Sequence, residues 1–454
     1  MKKILLITQG HTPNIGDYAI ERCGEEFFKS QGFEVISAPY EIQISEKLHL
    51  TGKLAVLTNK IFSRFYFLND IWHRKRIKSL LASAAGNNTA SSGTTDSNTT
   101  GSNTTGSDIC CAVIGGGELI SNHKGFNSSF YNWCKVLSDM RIPIAVHGVS
   151  GDINMSDRLL ERYRISLQKC FRVSVRDRKT AENFKKAYGF DPFYSPDVVF
   201  AFPKLSAFKT DGSHKRESPK NSNSADLAEN VGNCGDSNIK NIKNVLCIPV
   251  PYTQDMAETI GTRDEREYFD YLINAAFENV TADKQKINKQ TAANQTAEIR
   301  LNITSTVAGD MDFVQRFADY AQNHARNYSH KRAENQTENP SKHRSENNAM
   351  FKNKTQNLPK MSAKAIPFAQ FDDFLKLLDG ADLIVSARMH ACILGLLKNR
   401  KIFAVPFREK LKTFKDEHAD SQNAENLRKI ADESYAGLCA LADEIQTENI
   451  RTKE

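Results

Sequence analysis

Several signatures of common protein classes are missing from this sequence of 454 residues. It has no run of about eighteen consecutive apolar residues, so no ordinary transmembrane helix is expected. Its nine cysteines are odd in number and include no Cys-x-x-Cys pair, which argues against a disulfide framework and against a zinc site of the usual spacing. A spaced Gly-x-Gly-x-x-Gly motif is also absent, and dinucleotide binding is therefore a weak interpretation.

The charge of the chain is modest, with a formal net charge of +7. This value suits an anionic small molecule or an anionic membrane surface, and it is too diffuse to indicate nucleic-acid binding. At the N-terminus, two lysines precede the apolar stretch Ile4 to Ile7. That stretch is too short for a signal peptide and predicts the first strand of a cytoplasmic α/β protein, which could also lie peripherally at the inner face of the membrane.

The length exceeds that of one ordinary hydrophobic core, so two domains are expected. Stretches rich in Asn, Ser, Thr, Lys and Gln interrupt the globular pattern and predict polar, disordered insertions at 86–107, 210–243, 282–297 and 327–363. The resulting division is an N-terminal domain, a linker, a C-terminal domain and a closing helix with a tail, at 1–209, 210–243, 244–422 and 423–454.

Buried apolar runs alternate with amphipathic helical patterns along both predicted domains. Ile109 to Ile114, for example, reads as a buried strand, and Ile15 to Gln31 reads as a helix. This alternation predicts an α/β protein with two doubly wound, Rossmann-like domains facing a cleft. Ligands of such sheets bind beyond the carboxyl ends of the strands, so polar residues that follow predicted strands are the site candidates.

In the N-terminal domain the first strand is followed by a turn and a helix start. The side chains or backbone of Asn14, Gly16 and Asp17 could either bind an anion or simply cap the helix. A later strand ends in three glycines and an acid, where Gly116 and Gly117 permit a close approach of a ligand and Glu118 is a candidate for proton transfer.

Two further candidates follow later strands of this domain. His147 should emerge at the cleft as a group for proton transfer, although a lone histidine is more often structural. Arg176 is placed to bind a carboxylate or phosphate. The alternative for Arg176 is an internal salt bridge with Asp177 or Asp197.

The strongest cluster lies in the C-terminal domain, after the apolar strand Ala381 to Val385. Ser386 can cap the following helix, and Arg388 and His390 fall in its first turn, where the helix N-terminus favours an anion. Residues two apart on a regular helix point about 200° away from each other, so both reach one ligand only if this turn is irregular. Lys410 adds positive charge after the next strand.

The segment Ser386-Ala387-Arg388-Met389-His390 with Pro406 and Lys410 resembles the C-terminal signature of polysaccharide pyruvyl transferases. Earlier motifs resemble the same family in the same order, namely Asn14-x-Gly16-Asp17, the glycine turn at 115–117, Val175 to Arg178 and Pro196-Asp197. Met389 stands where leucine is common in the family. The long polar insertions are a departure that bears on acceptor recognition.

The resemblance implies a GT-B-like fold and transfer of pyruvate from phosphoenolpyruvate to two hydroxyls of a sugar, which forms a cyclic ketal in a surface or exopolysaccharide precursor. It also implies that Arg388, His390 and Arg176 contact the donor. The interpretation is that Arg388 clamps the donor and His390 is the general acid, with His147 and Glu118 next in order. No metal and no cofactor is expected, because phosphoenolpyruvate is itself the donor.

Two other functions compete with this one: a nucleotide-sugar glycosyltransferase on the same architecture, and a sugar- or anion-binding relative without catalysis. A separate question is membrane contact, because residues 61–81 interleave aromatic and basic residues. Such a helix could lie on an anionic bilayer that presents a lipid-linked oligosaccharide acceptor, or pack on the sheet with a solvated basic face. The sequence does not define the oligomeric state.

Overall fold

The structure is a computed structural model and describes residues 2–41, 66–84, 109–205, 242–287, 298–337, 360–418 and 423–451. The chain divides into two compact units. Unit 1 comprises Met1–Ser206 with Asp416–Glu454, and unit 2 comprises Ala207–Lys415. The predicted insertion 86–107 and almost all of 210–243 lie outside the described residues.

Unit 1 is built on six parallel strands in the order β2-β1-β3-β4-β5-β6. Its elements are β1 (Lys3–Thr8), α1 (Ile15–Ser30), β2 (Glu34–Pro39), α2 (Tyr66–Ala84), β3 (Ile109–Gly115), α3 (Lys124–Asp139), β4 (Ile144–Val149), α4 (Asp157–Leu167), β5 (Arg172–Val175), α5 (Arg178–Tyr188), β6 (Phe193–Tyr194) and a 3₁₀ helix at Val198–Lys204. The chain reverses its direction across the sheet between β1 and β3, which is where ligands of such sheets bind.

Unit 2 has five parallel strands in the order β11-β10-β7-β8-β9. Its elements are β7 (Ile242–Ile248), α6 (Gln254–Ile260), α7 (Glu265–Ile287), β8 (Glu298–Ile303), a 3₁₀ turn at Ala308–Asp310, α8 (Met311–Thr337), β9 (Lys360–Ala365), α9 (Phe371–Asp379), β10 (Leu383–Ser386), α10 (Met389–Leu397), β11 (Lys401–Ala404) and α11 (Glu409–His418), whose last residues cluster with unit 1. The reversal here falls between β7 and β10. The prediction of two doubly wound, Rossmann-like units is therefore confirmed.

The central strands form because their residues are apolar on both faces. In β1 the residues from Ile4 to Ile7 are all buried, and in β3 only Cys110 is partly accessible. Strands covered on both sides by crossover helices need such continuous apolar sequence. The core of unit 1 therefore surrounds β1, β3 and β4, and their carboxyl ends are rigidly placed.

The polar stretch at 327–363 is not one continuous loop, and its prediction as an insertion is wrong at both ends. Helix α8 continues to Thr337, and strand β9 begins at Lys360. Likewise α7 runs to Ile287, into the stretch predicted as the insertion 282–297. Strand β9 escaped prediction because it is an edge strand in which only Ala363 is buried, so it lacks the apolar run that marks a central strand.

The closing helix, α12 (Ala424–Arg451), belongs to unit 1. Ser434 donates a hydrogen bond from its hydroxyl to the Asp197 carbonyl at 3.0 Å. At Gly437 an added Cβ would lie 2.2 Å from the Ser195 Oγ, so only glycine lets the helix approach this closely. Helix α12 thus covers the segment that follows β6.

Candidate active site

In unit 2 the cluster predicted around residue 388 lies where the sheet reverses direction. Backbone hydrogen bonds continue the sheet just beyond the strands, from Ala387 N to Ile248 O at 2.9 Å and from Thr304 N to Cys247 O at 3.1 Å. The carboxyl ends of β10, β7 and β8 are therefore held side by side. The loops that leave them form one edge of the unit.

Arg388 is the residue immediately before α10, in extended conformation with φ −120° and ψ 120°. Its N–H donates to the Ser386 Oγ at 2.9 Å, and the Ser386 hydroxyl lies 3.0 Å from the Arg388 carbonyl oxygen. The prediction that Ser386 caps the helix is wrong, because this hydroxyl is used within the turn and α10 has no side-chain cap. Ser386 instead fixes the backbone of Arg388.

This geometry removes the objection based on helical spacing. Arg388 has non-helical dihedrals, whereas His390 lies inside the first turn of α10. The 200° separation of a regular helix therefore does not apply to the pair. Both side chains are partly buried, and both belong to the edge at which an anionic ligand is expected.

The Arg388 guanidinium forms an ion pair with a carboxylate that the sequence did not single out. Its Nη2 contacts the Asp310 Oδ2. The same carboxylate oxygen accepts a hydrogen bond from the Ser305 hydroxyl at 3.0 Å, and the Ser305 Oγ accepts one from the Val307 N–H at 3.0 Å. The side chains of Arg388 and Asp310 are 26% and 13% exposed, so the pair borders solvent.

Burial lowers the pKa of Arg388 from its ordinary value, and the nearby Asp310 carboxylate opposes this effect. The positive charge of Arg408 also lowers the pKa of Arg388. Arginine stays protonated in spite of such shifts. The guanidinium groups of Arg388 and Arg408 therefore carry two positive charges against the single negative charge of Asp310. The remaining positive charge favours an anionic ligand.

Lys410 lies in the first turn of α11 and is partly buried. It follows β11 by several residues and belongs to the same unit as Arg388. The residues that sequence reasoning missed are Asp310 and Ser305. A signal existed in the polar run Thr304-Ser305-Thr306 at the end of β8, because polar residues just after a buried strand mark the ligand edge of a parallel sheet.

In unit 1 the structure brings the two predicted turns together where β1 and β3 end. Asn14 caps α1 by accepting a hydrogen bond from Gly16 N at 3.0 Å, and its amide donates to Asp17 at 2.8 Å. Gly116 and Gly117 have φ values of 75° and 78°, which L-residues with side chains rarely adopt. A Cβ on Gly117 would lie 4.0 Å from the Asp17 Oδ1. The exposed Glu118 follows.

Arg176 does not present its guanidinium as a free binding group. It is buried, and it donates from Nη1 to Asp197 at 2.8 Å and from Nη2 to the Ser150 Oγ at 2.7 Å. Of the two internal partners weighed from the sequence, Asp197 is the one found, and Asp177 caps α5 through Thr180 N instead. A charge buried in such a pair is an internal structural element of unit 1.

His147 was expected to emerge at the end of β4, and this is wrong. Its residue is only 4% exposed, its Nδ1 lies 2.9 Å from the Ser174 Oγ, and its ring faces Gly437 of α12. Burial and the charge of Arg172 lower the pKa of His147 to about 4, against the opposing effect of Asp197. A covered, neutral imidazole of this kind is a core residue.

Among the described residues, no group of three or more His, Cys, Asp or Glu is arranged to hold a metal ion. The part of the chain that the structure describes also contains no helix long and apolar enough to cross a membrane. The eight cysteines described are all free, and most are buried.

A sequence model of the polysaccharide pyruvyl transferase family matches residues 14–406. This match spans most of the chain, from the Asn14 turn to Pro406 after β11. The chain therefore belongs to the polysaccharide pyruvyl transferase family, a family of transferases. Among curated proteins, none matches the sequence.

Solved structures resemble the chain only loosely. The UDP-GlcNAc 2-epimerase of Methanocaldococcus jannaschii, solved with UDP-GlcNAc and UDP, has a TM-score of 0.41 at 11% identity and covers 97% of this chain and 98% of its own. A UDP-N-acetylglucosamine 2-epimerase from Listeria monocytogenes, described as provisional, has a TM-score of 0.40 at 11% identity, with coverage of 97% and 95%. Trehalose-6-phosphate synthase OtsA has a TM-score of 0.42 at 9% identity, with coverage of 98% and 99%.

Proposed function

We propose that this protein transfers the pyruvyl group of phosphoenolpyruvate to two hydroxyls of a saccharide acceptor and releases inorganic phosphate. The observation that carries the proposal is the placement of Arg388 and His390 at the edge of unit 2 where its sheet reverses, in a chain that belongs to the polysaccharide pyruvyl transferase family. Helix α10 begins there and directs its N-terminus to the same edge.

The donor is a small molecule that carries both a carboxylate and a phosphate. Arg388 is the proposed clamp for one of these groups, because a guanidinium binds a planar oxyanion with two parallel hydrogen bonds. Arg408 and Lys410 supply further positive charge in the same unit. The N–H groups in the first turn of α10 favour the remaining negative charge.

Pyruvyl transfer requires a proton on the methylene carbon of the donor. His390 is the proposed acid: it protonates C3, C2 becomes electrophilic, and the oxygen of the first acceptor hydroxyl bonds to C2. The proton of that hydroxyl restores the acid. The bond between C2 and the phosphate oxygen then breaks, the second hydroxyl oxygen bonds to C2, and its proton leaves with the phosphate.

The turn at Asn14 to Asp17 in unit 1 is less suited to the donor than the sequence suggested. The Asp17 carboxylate lies at the start of α1 beside Gly117, where it would repel a phosphate or a carboxylate. A carboxylate next to an open glycine backbone suits the hydroxyls of a saccharide. We therefore assign this edge to saccharide binding.

The test is an assay of phosphate release from phosphoenolpyruvate with a panel of saccharides, lipid-linked oligosaccharides included, followed by mass spectrometry of the product. The proposal expects release that depends on the acceptor and a ketal-linked pyruvate in the product. Calorimetry with phosphoenolpyruvate and, separately, with UDP adds a direct comparison of donors. Binding of UDP with no binding of phosphoenolpyruvate would favour the glycosyltransferase alternative and contradict the proposal.

A lipid-linked acceptor would require contact with a membrane, and α2 is the proposed contact. Residues 61–65 of the aromatic and basic segment 61–81 lie outside the described part of the chain. Helix α2 packs through four buried residues, which are Asp70, His73, Ile77 and Leu81. Ile71, Lys75 and Lys78 remain exposed. Helices α2, α3 and α4 together carry nine basic and four acidic residues, and this excess favours anionic lipid headgroups.

A further inference from the structure

We infer that Asp310 and Ser305 are positioning residues that hold the Arg388 guanidinium in the orientation needed to bind the donor. The inference deepens the proposed function and rests on it, because it requires Arg388 to contact the donor. Neither Asp310 nor Ser305 belongs to the Ser386–His390 motif or to any strand-end cluster considered from the sequence.

Arg388 and Asp310 come from opposite sides of β7. Arg388 follows β10 and Asp310 follows β8, and β7 lies between these two strands in the sheet. Neighbouring strands are roughly 4.8 Å apart, so the ion pair spans about 10 Å measured across the sheet. The Arg388 side chain therefore extends over the end of β7, which is the point where a doubly wound sheet binds its ligand.

A chain of hydrogen bonds ties this carboxylate to the backbone. The Val307 N–H donates to the Ser305 Oγ, the Ser305 hydroxyl donates to the Asp310 Oδ2, and that oxygen contacts the Arg388 Nη2. Ser305 is fully buried, and its N-terminal neighbour Thr304 continues the backbone pairing of β8 with β7. The carboxylate thus has a fixed position before any ligand arrives.

The Arg388 backbone is fixed by a second and separate hydroxyl. Ser386 holds the Arg388 N–H in the turn before α10. Both ends of the arginine side chain are therefore constrained, the backbone by Ser386 and the guanidinium by Asp310. A long side chain that would otherwise populate many rotamers is ordered in advance, and the entropic cost of ordering it on binding is reduced.

Asp310 does not use all the donors of the guanidinium. Its contact is to Nη2, and the Arg388 side chain remains 26% exposed. Arginine has five N–H groups, so the pair leaves donors for a ligand. This distinguishes a positioning carboxylate from one that occupies the arginine in place of the donor.

The opposite hypothesis is that Asp310 competes with the anionic donor for Arg388. The two roles predict opposite signs for Asp310→Asn, which keeps the shape of the side chain and removes its charge. Removal of a negative charge strengthens the electrostatic attraction of phosphoenolpyruvate. A positioning role expects weaker donor binding in spite of this attraction, because the guanidinium is released.

The experiment is a double-mutant cycle on the full-length protein, with phosphoenolpyruvate binding measured by calorimetry and with kcat and KM measured separately. We expect Asp310→Asn to raise the Kd and KM about 10- to 100-fold, as for a misplaced binding group, and to change kcat less. In the Arg388→Ala background the same substitution should have no further effect, because Asp310 acts through Arg388. Asp319→Asn, an exposed position on α8, the helix that follows Asp310, is the control and should bind like the wild type.

Several outcomes would overturn the inference. Tighter binding by Asp310→Asn would identify a competing carboxylate, and an undiminished effect in the Arg388→Ala background would identify a role independent of Arg388. Thermal unfolding of each variant separates loss of binding from loss of fold, and Ser305→Ala provides a second variant that keeps Asp310 and should weaken binding more mildly. If Arg388→Ala binds phosphoenolpyruvate like the wild type, the proposed function of Arg388 fails first, which is distinguishable from a failure confined to Asp310.

Discussion

The two units each carry an arginine and a histidine near the carboxyl ends of strands in similar parallel sheets, yet the surroundings of these residues differ. In unit 1 His147 lies within β4 and Arg176 follows β5, whereas in unit 2 Arg388 and His390 follow β10. In unit 1 the Arg176 guanidinium is buried against Asp197 and His147 is covered by α12. In unit 2 the Arg388 pair borders solvent and His390 is only partly buried. Position at a strand end is therefore insufficient to define a site. The elements that cover the strand end decide whether the group can meet a ligand.

The largest difference between the units is expected in how much kcat falls when the histidine of each unit is replaced by alanine. His390→Ala should reduce kcat by about 10²- to 10⁴-fold, as for loss of a general acid. His147→Ala should leave kcat per folded molecule near that of the wild type, because the ring is buried in the interior of unit 1. The measurement is the rate of phosphate release normalised to the folded fraction. A loss of kcat in fully folded His147→Ala comparable to that of His390→Ala would reverse the comparison.

The arginines should differ in what they stabilise. Arg176→Ala removes the positive charge that faces the buried Asp197 carboxylate and should lower the free energy of unfolding by about 3–5 kcal/mol. Arg388→Ala should cost less stability, about 1–2 kcal/mol, and should weaken phosphoenolpyruvate binding about 10- to 100-fold. Denaturant unfolding and calorimetry provide the two measurements. Arg300→Ala, an exposed position on β8, is the control for both.

If instead Arg176→Ala stayed fully stable and lost donor binding, the assignment of Arg176 to the interior of unit 1 would be wrong. The family resemblance would then be a better guide to its role than the ion pair with Asp197.

Acid should destabilise unit 1 through its buried histidines. The pKa of His147 is about 4 in the folded protein because burial and Arg172 disfavour its charged form, against an ordinary value of 6.5. Between these values the unfolded chain binds the proton that the folded chain does not, so the stabilisation is complete above pH 6.5 and is lost as the pH falls towards 4. At pH 5 the loss is about 2 kcal/mol for this group.

Unfolding curves for the wild type and His147→Asn at pH 7 and pH 5 measure this contribution. The variant should lose less stability on acidification than the wild type does. Some loss should persist in the variant, because burial also lowers the pKa of His73 in the same unit to about 4. Identical losses in the two proteins would show that His147 is not buried in its neutral form.

The smallest expected effect concerns the outer helices. Helices α7, α8 and α9 of unit 2 carry eight basic and eleven acidic residues, against nine and four in α2, α3 and α4 of unit 1. Lys75→Ala should weaken binding to anionic vesicles by about 1 kcal/mol at low salt. Lys376→Ala on α9 is the matched control. Co-sedimentation that is absent for the wild type, or equally reduced by both substitutions, would refute contact through α2.

Much of the architecture followed from local sequence, because periodicity and apolar runs depend on near neighbours along the chain. The alternation of strands and helices defined two doubly wound units and located the turn before α10. Elements with weak local signals were missed or shortened. Edge strand β9 has a largely exposed sequence, and the sequences that end α7 and α8 are rich in polar residues.

The residues of the candidate site divide in the same way. By itself the sequence determined that Arg388 and His390 follow a buried strand at the start of a helix, and it determined the family resemblance. Only the tertiary structure decided the partners. Asp310 lies 78 positions before Arg388. The two side chains meet because the strands that precede them, β8 and β10, lie on either side of β7 in the sheet. The enclosure of His147 likewise depends on α12 approaching through Gly437. Such contacts depend on strand order and helix packing, which no local pattern encodes.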